Sequence, residues 1–554
     1  MAEEAIRLWG WLDPDHPDPV AGLPEVEAWL AARLGLERLP ATPPVALDPA
    51  RVPKSKLTQR MRTALAAALA DGVFSDDRAV RALHTLGQSY PDQLQRRAGR
   101  IARTVDAVAF PENAAEAAAV LAAAAKSGFR VVPRGGGSSV VGGLSAPAGD
   151  NRPVVALDLS RMNRVLELSK QDQTVTAEAG IRLADLDAAL KPEWLTLGHE
   201  PQSFHAVTLG GALAAAGSGQ RSDRYGPVGE NLVSARIATP SGLWSTERFR
   251  HAATGPWLGG LAIGSEGAFG IITDATMRLH ARPEHVEDRA WLLPSFADAA
   301  AAVRELAQQG HALAMLRVSD EAETDFLGGY RLARAGLDRP GSLERMLLKV
   351  KGAPKRAALL IAGYEGANQG TAYAYATAKR VLARHGAVGV GGRPGQSWRK
   401  GRFEGPHLRE SLMARGLGVD TFETAVPWSA VETVHAAVGA ALARAIAATL
   451  PGKGRPAVFC HLSHSYIEGA CLYFTAIFPR ADDALEQWRT IKQAATDAMV
   501  EHGGTVSHHH GVGADHAAWV ARANGPLEIK LMEAIRRELD PKDVMAPGIR
   551  AAFP

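Results

Sequence analysis

The sequence predicts an α+β protein in which two mixed domains follow a helical N-terminal region. In residues 104–190, short runs of β-forming residues separated by polar turns surround one Ala-rich helix. From about Pro283, strand-type and helix-type segments alternate, which predicts an antiparallel sheet covered by helices. A chain of 554 residues is also too long for a single hydrophobic core.

The change of pattern along the chain predicts four regions. They are a helical N-terminal region (1–103), a first mixed domain (104–282), a second mixed domain (283–500) and a C-terminal segment (501–554). In the N-terminal region, Arg60–Ala70 and Asp77–His84 have helical spacing, whereas prolines interrupt residues 13–24 and 40–53.

The first mixed domain opens with a strand that ends at Phe110–Pro111 and a helix over Ala114–Ser127. Further strands are expected to pair mostly as meanders. The remaining predicted segments are strands at Phe129–Val132, Val154–Leu159, Arg164–Leu168 and Thr174–Ala179, and a helix at Arg182–Leu190.

A glycine-rich loop, Pro133–Gly143, follows the strand at Phe129–Val132. Without Cβ atoms, its backbone N–H groups can close around an anion. It is not a dinucleotide fingerprint, because Val140 stands where the third glycine is required, and no lysine follows Gly142 as in a phosphate loop. The alternative is a simple tight turn.

Two more clusters of small residues follow, at Gly198–Gly219 and Gly264–Ile272. Small side chains over such a length let a flat ligand lie against the backbone. The alternative is a helix packed closely on a sheet.

The second mixed domain alternates strands and helices. The predicted strands are Ala357–Tyr364, Phe422–Thr424, Val458–Ser463 and Ala470–Phe478, and the predicted helices are Ala297–Gln308, Gln369–His385, Ser429–Leu450 and Asp482–His502.

Taken together, these motifs resemble a known group of flavoenzymes. The three glycine clusters are similar to the flavin domain of the vanillyl-alcohol oxidase / p-cresol methylhydroxylase FAD superfamily. Thr421–Trp428 and the triple histidine in Ser507–Gly513 narrow the resemblance to the alkyldihydroxyacetonephosphate synthase (alkylglycerone-phosphate synthase) family, over nearly the whole chain.

This resemblance implies a p-cresol methylhydroxylase-type FAD-binding domain, an antiparallel-sheet cap domain and noncovalent FAD. The glycine loop contains no histidine or cysteine that could attach to the flavin ring. The implied cofactor-binding residues are Pro133, Arg134, Gly135, Gly136, Gly137, Ser138, Ser139, Gly143, Gln202, Ser203, Thr208, Gly211, Ala215, Gly217, Ser218, Glu266, Gly270, Ile271 and Ile272.

The resemblance also implies the reaction and its residues. The family exchanges the acyl group of acyl-dihydroxyacetone phosphate for a fatty alcohol through a flavin adduct. The catalytic tyrosine falls on Tyr473, the phosphate-binding arginine on Arg409, and the essential histidines on His508, His509 and His510. His461, an expected substrate-binding residue, replaces an arginine of the family.

This replacement keeps an alternative open, namely an FAD-dependent oxidoreductase that dehydrogenates a 2-hydroxy acid or alcohol. Related dehydrogenases carry a histidine-containing metal site at the segments of His461 and His464, although we expect no metal in this chain. A flavin-binding protein without catalysis is a third alternative.

Taken singly, each candidate residue also has an ordinary structural interpretation. Tyr473 could be a buried strand tyrosine, and Arg409 a solvated helix residue. As a base, Tyr473 would need positive charge from Arg409 or the histidines to lower its pKa. Strand-like alternation would put His508 and His510 on one side and His509 on the other.

Partners and location follow from charge and composition. Lys+Arg 62 against Asp+Glu 59 does not suggest nucleic-acid binding. Two cysteines and an acidic start without an apolar signal segment indicate a cytoplasmic protein, and we expect a homodimer acting on a small-molecule or lipid-phosphate substrate. The basic segment Gly329–Arg356 is either a solvated part of the cap or a face for peripheral membrane contact.

Overall fold

The computed structural model describes residues 5–11, 13, 15–147, 149–247, 249–311, 313–337, 340–342, 346, 349–350 and 352–553. Within them, three larger sheets and their helices form the predicted α+β architecture. Many of their strands lie close to the segments predicted from sequence, but the strands Leu232–Thr239, His285–Leu293, Met315–Ser319 and Val388–Gly391 were not predicted, and some pairings differ.

Over its described residues, the N-terminal region contains four short α-helices joined by long irregular segments, and it adds one strand to the first sheet. Thr58, Asp77 and Ser89 cap three of its helices with their side-chain oxygens, which satisfies backbone N–H groups at the helix starts. The elements are α1 (Pro24–Arg33), α2 (Gln59–Ala68), β1 (Val73–Ser75), α3 (Arg78–Leu83) and α4 (Tyr90–Arg97).

The first sheet has the order β1-β2-β4-β3, with β2 (Ala107–Phe110), β3 (Arg130–Arg134) and β4 (Val154–Asp158). Both β2 and β3 pair with β4 in parallel, so the expectation of meanders is wrong here. The helix α5 (Ala114–Ser127) makes the crossover that a parallel connection requires. The glycine loop follows at the carboxyl end of β3.

The second sheet has the order β5-β6-β10-β8-β9 and is antiparallel throughout, as the meander prediction requires. It shares one apolar core with the first sheet, to which Val131, Leu157, Val175 and Met277 contribute. Its elements and their neighbours are β5 (Val165–Ser169), β6 (Thr174–Glu178), α6 (Leu183–Leu190), β7 (Leu195–Thr196), α7 (Leu209–Ala214), α8 (Ser222–Tyr225), β8 (Leu232–Thr239), β9 (Gly242–Ser245), β10 (Ile271–Arg278) and β11 (His280–Ala281).

The third sheet is seven-stranded and antiparallel, with the order β15-β12-β14-β13-β17-β18-β16. Its strands are β12 (His285–Leu293), β13 (Met315–Ser319), β14 (Ala358–Gly366), β15 (Val388–Gly391), β16 (Leu417–Pro427), β17 (Ala457–Ser465) and β18 (Gly469–Pro479). Its helices are α9 (Phe296–Gln308), α10 (Glu321–Arg334), α11 (Asn368–Arg384), α12 (Arg393–Gly401), α13 (Gly405–Met413), α14 (Val431–Thr449) and α15 (Ala484–Glu501).

Among the described residues, the segment Trp428–Thr449 alone is long and apolar enough to cross a membrane by length and composition. In the fold it packs against β17, β18 and α15. Val434, Val438 and Leu442, at helical spacing, are fully buried in the core of the third sheet. This packing is typical of a core helix.

After α15 the chain returns to the first sheet. The Val131 N–H donates to the Val544 carbonyl at 2.8 Å, and the Ala546 N–H donates to the Val131 carbonyl at 2.9 Å. Two further helices, α16 (Ala517–Ala523) and α17 (Pro526–Leu539), lie on this return path. Residues 507–513, hereafter the histidine loop, therefore connect the third sheet to the side of the first sheet that carries the glycine loop.

Candidate active site

A row of four polar side chains crosses one face of the third sheet. The strand registers pair Ser319 with His461, His461 with Tyr473, and Tyr473 with Glu423. Directly opposed residues of an antiparallel ladder point to the same face. The Tyr473 and His461 rings stack accordingly, with centroids 4.7 Å apart and an interplanar angle of 16°.

Glu423, at the end of this row, organises the start of the histidine loop. Its carboxylate, 1% exposed, accepts from the Ser507 hydroxyl at 2.7 Å. It also accepts from the backbone N–H groups of His508, His509 and His510 at 2.6, 3.2 and 3.0 Å. Burial opposes its ionisation, but the neighbouring histidines and the Ser507 hydroxyl hold the pKa of Glu423 well below its ordinary value. The sequence prediction assigned no role to Glu423, although it stands in the motif Thr421–Trp428.

Two of the three histidines, His509 and His510, contact Tyr473, whereas His508 contacts Tyr466. His509 stacks on the Tyr473 ring at 5.9 Å, and His510 meets it edge-on at 5.5 Å. His508 accepts or donates a hydrogen bond with the Tyr466 hydroxyl at 2.7 Å. The expected division of the rings between two sides is therefore wrong, because the loop bends around Glu423 and is not extended.

Burial controls the protonation of this cluster. It lowers the pKa of His508, His509 and His510, so that these imidazoles are neutral at pH 7. It raises the pKa of the Tyr473 phenol to about 12, an effect larger than that of Arg409. The expectation that nearby positive charge lowers the pKa of Tyr473 is therefore wrong, because burial dominates and the closest rings are uncharged.

Arg409 lies on α13 beside the edge strand β16. Its guanidinium donates to the Val419 carbonyl at 3.1 Å, to the Gln88 carbonyl at 3.0 Å and to Asp420 at 3.3 Å. These bonds use three of the five N–H donors of the guanidinium, and the other N–H groups are available to an anionic ligand. The arrangement fixes the guanidinium between the N-terminal region and the third sheet.

Arg317 is a site residue that the sequence prediction missed. It lies on β13 and donates to Glu323 at 2.9 Å and to His461 Nδ1 at 3.0 Å. The short strand Met315–Ser319 was not predicted, so there was no indication in the sequence of which side of the sheet the Arg317 side chain would lie on. Arg317 places a guanidinium beside His461, the residue that replaces an arginine of the family. The positive charge of Arg317 opposes the binding of a metal cation at His461.

A second group of possible metal ligands lies nearby. Ligand-type atoms of Glu423, Cys471, His508 and His509 lie within 4.8 Å of one another. Both carboxylate oxygens of Glu423 already accept hydrogen bonds from the histidine loop. The absence of a metal stays a prediction.

The glycine loop packs directly on residues 206–208. A Cβ on Gly135 would collide with the Thr208 hydroxyl, and one on Gly136 with the Ala206 carbonyl. Gly137 has φ +70, a conformation that favours glycine. The N–H groups of residues 135–138 donate to no acceptor in the described part of the chain. These free donors fit the anion-binding role expected for the loop.

Arg134, at the start of this loop, contacts protein groups. Its guanidinium donates to the carbonyls of Leu83, His84 and Leu86 at 3.4 Å and lies 3.8 Å from Asp158. Its side chain therefore ties the loop to the N-terminal region.

Unpaired polar atoms mark the region of the second glycine cluster. Both ring nitrogens of His199 and the hydroxyl of Ser218 are buried without a hydrogen-bond partner. Burial lowers the pKa of His199 to about 4. Such atoms require a partner, and the polar edge of a flavin ring would supply one. The sequence prediction included Ser218 but missed His199, although His199 lies in the small-residue cluster Gly198–Gly219.

The remaining predicted cofactor residues form the framework of this region. Thr208 caps α7 by accepting from the Gly211 N–H at 3.3 Å, and Gly217 donates to Ala212 at 2.9 Å. Ala215 ends α7, and Gly270 precedes Ile271 and Ile272 at the start of β10. In the third cluster, the Glu266 carboxylate accepts from the Val512 and Gly513 N–H groups of the histidine loop, and its expected role in cofactor binding stays a prediction.

The remaining members lie at the margins of the region. Gly143 donates to the Ser139 hydroxyl at 3.2 Å, and the Ser203 carbonyl accepts from Ala206 and Val207. Gln202 lies against Gly405 at the start of α13. Pro133 contacts Gly267, and Ser138 is half-buried, as are several other residues of the loop.

Comparisons with known proteins now give the family. A model of the FAD binding domain matches residues 105–246, and one of the FAD linked oxidases C-terminal domain matches residues 282–549. The chain is 31% identical to the alkyldihydroxyacetonephosphate synthase of Dictyostelium discoideum, over 85% of this chain and 77% of that protein. The chain belongs to the alkyldihydroxyacetonephosphate synthase family.

Solved structures agree with this membership. A structure of an alkyldihydroxyacetonephosphate synthase matches with a TM-score of 0.78 and 28% identity, covering 95% of this chain and 91% of that one. The structure of p-cresol methylhydroxylase with substrate bound matches with a TM-score of 0.67 at 16% identity, covering 90% and 98%. The predicted p-cresol methylhydroxylase-type fold and the predicted FAD are thereby confirmed, and the chain is an FAD-dependent enzyme of the synthase family.

Proposed function

We propose that this enzyme exchanges the acyl group of acyl-dihydroxyacetone phosphate for a fatty alcohol. At one carbon the carboxylate leaves and the alcohol oxygen enters, so no net oxidation occurs. The observation that carries the proposal is a tyrosine phenol enclosed by His461, His509 and His510 in a member of this family. A phenol beside neutral imidazoles can move a proton without an electron acceptor.

In this proposal, each side chain has one task. Tyr473 takes and returns the proton of the reacting carbon, and His509 or His510 accepts the phenol proton. Arg409 binds the phosphate through the N–H donors that its protein partners leave free. When bound, FAD supplies the ring at which the reacting carbon is held.

We propose that the FAD is bound noncovalently. The cysteines Cys460 and Cys471 are both buried, and the glycine loop offers no histidine or cysteine. Denaturation and precipitation of the protein should release all the yellow colour into the supernatant. Colour retained in the washed pellet would show a covalent bond.

One anaerobic experiment separates exchange from oxidation. The holoenzyme is mixed with acyl-dihydroxyacetone phosphate and a labelled long-chain alcohol, while the flavin absorbance is followed. We expect one carboxylate released for each alcohol incorporated, with the oxidised flavin spectrum restored at the end. Lasting bleaching with a 2-hydroxy acid and no alkyl product would instead identify a dehydrogenase.

We further propose that the segment Gly329–Arg356 contacts a membrane that presents the lipid substrate. Leu337, Met346 and Val350 are 51%, 55% and 78% exposed in this basic stretch. Its residues Arg339, Arg345 and Lys351 lie outside the described residues. Exposed apolar side chains among cations are typical of attachment to anionic lipid.

Sedimentation with anionic vesicles tests the membrane contact. Met346→Ser with Val350→Ser should reduce the bound fraction, while Leu531→Ser, at a position 57% exposed on α17, should not. Equal binding by both variants would remove the proposal.

We also propose a cytoplasmic homodimer, which light scattering and cell fractionation would test.

A further inference from the structure

The carboxylate of Glu266 reaches out of the FAD-binding domain to the histidine loop. Its Oε2 accepts from the Val512 N–H at 2.9 Å and from the Gly513 N–H at 2.9 Å. The sequence comparison with the family had grouped Glu266 with the cofactor-binding residues. Both of its hydrogen bonds in this structure go to the loop that carries the histidines.

The fit around this carboxylate depends on glycines. A Cβ on Gly511 would lie 2.8 Å from Glu266 Oε1, and one on Gly143 would lie 3.2 Å from the same oxygen. A Cβ on Gly513 would collide with the Val141 carbonyl. Gly511 and Gly513 also have φ +91 and +54. The loop can therefore approach Glu266 and the glycine loop only because these positions lack side chains.

Glu266 itself is held in an unfavourable conformation. It has φ +47, a region that non-glycine residues seldom adopt, and its N–H donates to the Ala214 carbonyl at 2.9 Å. Burial raises the pKa of Glu266 to about 7, against the effect of the two amide hydrogen bonds. Both the positive φ angle and the burial of the carboxylate are energetically unfavourable at this position. The hydrogen bonds to the histidine loop give a functional reason for tolerating them.

Glu266 and Glu423 hold opposite halves of the same loop. Glu423, from the third sheet, accepts from the N–H groups of His508, His509 and His510. Glu266, from the FAD-binding domain, accepts from the next two N–H groups after Gly511. His516 adds a third contact by bonding the Gly511 carbonyl at 3.0 Å. The position of His509 and His510 against Tyr473 thus depends on both domains.

We propose that Glu266 is a positioning residue that fixes the histidine loop against Tyr473, and that it is not a ligand of the cofactor. The turnover part of this proposal rests on the function proposed above, whereas the loop part does not. A displacement of about 1 Å at reacting groups costs on the order of 100-fold in rate.

Three variants of the full-length holoenzyme test the proposal. Glu266→Ala removes both acceptor contacts, Glu266→Asp withdraws the carboxylate by one methylene, and Glu266→Gln keeps an acceptor oxygen. The measurements are FAD content, kcat, and hydrogen exchange of the amides in residues 508–513. We expect full FAD content in all three. We expect kcat to fall about 100-fold in Glu266→Ala and to stay within about threefold of the parent in Glu266→Gln.

Hydrogen exchange of Val512 and Gly513 should accelerate in Glu266→Ala and Glu266→Asp and stay slow in Glu266→Gln. Glu116 provides the matched control, because its carboxylate accepts from the N–H groups of Asp71 and Glu112 at 2.7 and 2.9 Å, within the N-terminal region and the first sheet. Glu116→Ala should leave the exchange of the histidine loop and kcat unchanged.

Loss of FAD from Glu266→Ala with unchanged loop exchange would overturn the proposal and make Glu266 a cofactor ligand. If Glu266→Ala does not fold, Glu266→Asp and Glu266→Gln decide the matter through the same exchange measurement. If the parent enzyme forms no alkyl product, the proposed function fails. The exchange difference between the variants then still supports or overturns the positioning role.

Discussion

At the scale of the residue, burial has more influence than charge on the chemistry of Tyr473. The phenol stays protonated over the physiological range because burial raises its pKa to about 12. The same burial keeps His509 and His510 neutral and therefore able to accept a proton. In the proposed reaction, the phenol proton passes to one of these imidazoles, whose ring centroids lie 5.9 and 5.5 Å from that of Tyr473.

Tyr473→Phe should abolish turnover while the protein keeps its yellow FAD. The change removes one hydroxyl and preserves the ring stack with His461, so we expect kcat to fall by about 10³-fold or more and the melting temperature to stay close to that of the parent. Steady-state assays and the flavin spectrum measure both effects. Tyr373→Phe, at a position 69% exposed, is the control with unchanged activity. Near-parental rates in Tyr473→Phe would disprove its catalytic role.

Glu423→Gln should destabilise the protein in a pH-dependent manner. The pKa of Glu423 is depressed in the folded state, so its stabilising contribution is present above the unfolded pKa of about 4.3 and is lost as the pH falls below it. We expect the variant to be about 2–4 kcal/mol less stable at pH 7.

Urea unfolding of parent and variant at pH 7, 5 and 4 checks this prediction. The stability difference should be equal at pH 7 and 5 and should narrow at pH 4. Glu37→Gln, at an exposed position, should show no difference at any of these pH values. A difference that widens on acidification would contradict the assigned charge of Glu423.

At the scale of the element, the site depends on two loops that have little hydrogen bonding of their own. The glycine loop at Pro133–Gly143 is shaped by contact with residues 206–208, and the histidine loop is shaped by two carboxylates. The strands and helices that flank them supply the rigid positions. The geometry of both loops is therefore determined by contacts with other elements and not by the loops themselves.

Gly136→Ala should disrupt the glycine loop, because its Cβ would collide with the Ala206 carbonyl. We expect loss of at least about 1–3 kcal/mol of stability together with weakened FAD binding. The matched control is Gly439→Ala, in the middle of α14 with no atom within 4 Å of the new Cβ. That change should stabilise the protein by about 0.5–1 kcal/mol. Thermal unfolding and bound flavin per chain measure both, and equal FAD retention would contradict the prediction.

At the scale of the whole molecule, a buried ion-pair group joins the FAD-binding domain to the third sheet. Arg221 lies 3.3 Å from Asp288 and 3.1 Å from Glu365, with side-chain exposures of 5%, 0% and 7%. Arg399 pairs with Asp288 from the other side, and the Tyr225 hydroxyl donates to Glu365 at 2.9 Å. The group fixes the third sheet, and with it Tyr473, relative to the flavin region.

Arg221→Met should destabilise this junction strongly, because it leaves two buried carboxylates with fewer partners. We expect a loss of about 3 kcal/mol, measured by urea unfolding, and a drop in kcat at retained FAD content. Arg489→Met, which removes an exposed pair with Glu486, should change stability by less than about 1 kcal/mol. Equal effects of the two changes would show that the junction does not depend on this ion pair.

The sequence located many elements, but it missed the strands β8 and β12 and the direction of some strand pairings. The helix over Ala114–Ser127 has the predicted ends, because Asn113 caps it and Gly128 terminates it. The parallel pairing of β2, β3 and β4 was missed, since short apolar runs carry no signal of strand direction. The strand Met315–Ser319 was missed because five residues do not establish a period, and Arg317 was missed with it.

Local chemistry determined part of this protein from its sequence alone: the α+β class, the glycine loop, the flavin and the family, because each depends on residues adjacent in the chain. Only the tertiary structure decided which groups face Tyr473, how far burial shifts its pKa, and that Glu423 and Glu266 hold the histidine loop. Those properties depend on distances between residues far apart in sequence, such as Glu266 and Val512, and on the exclusion of water around them. Neither quantity exists before the chain has folded.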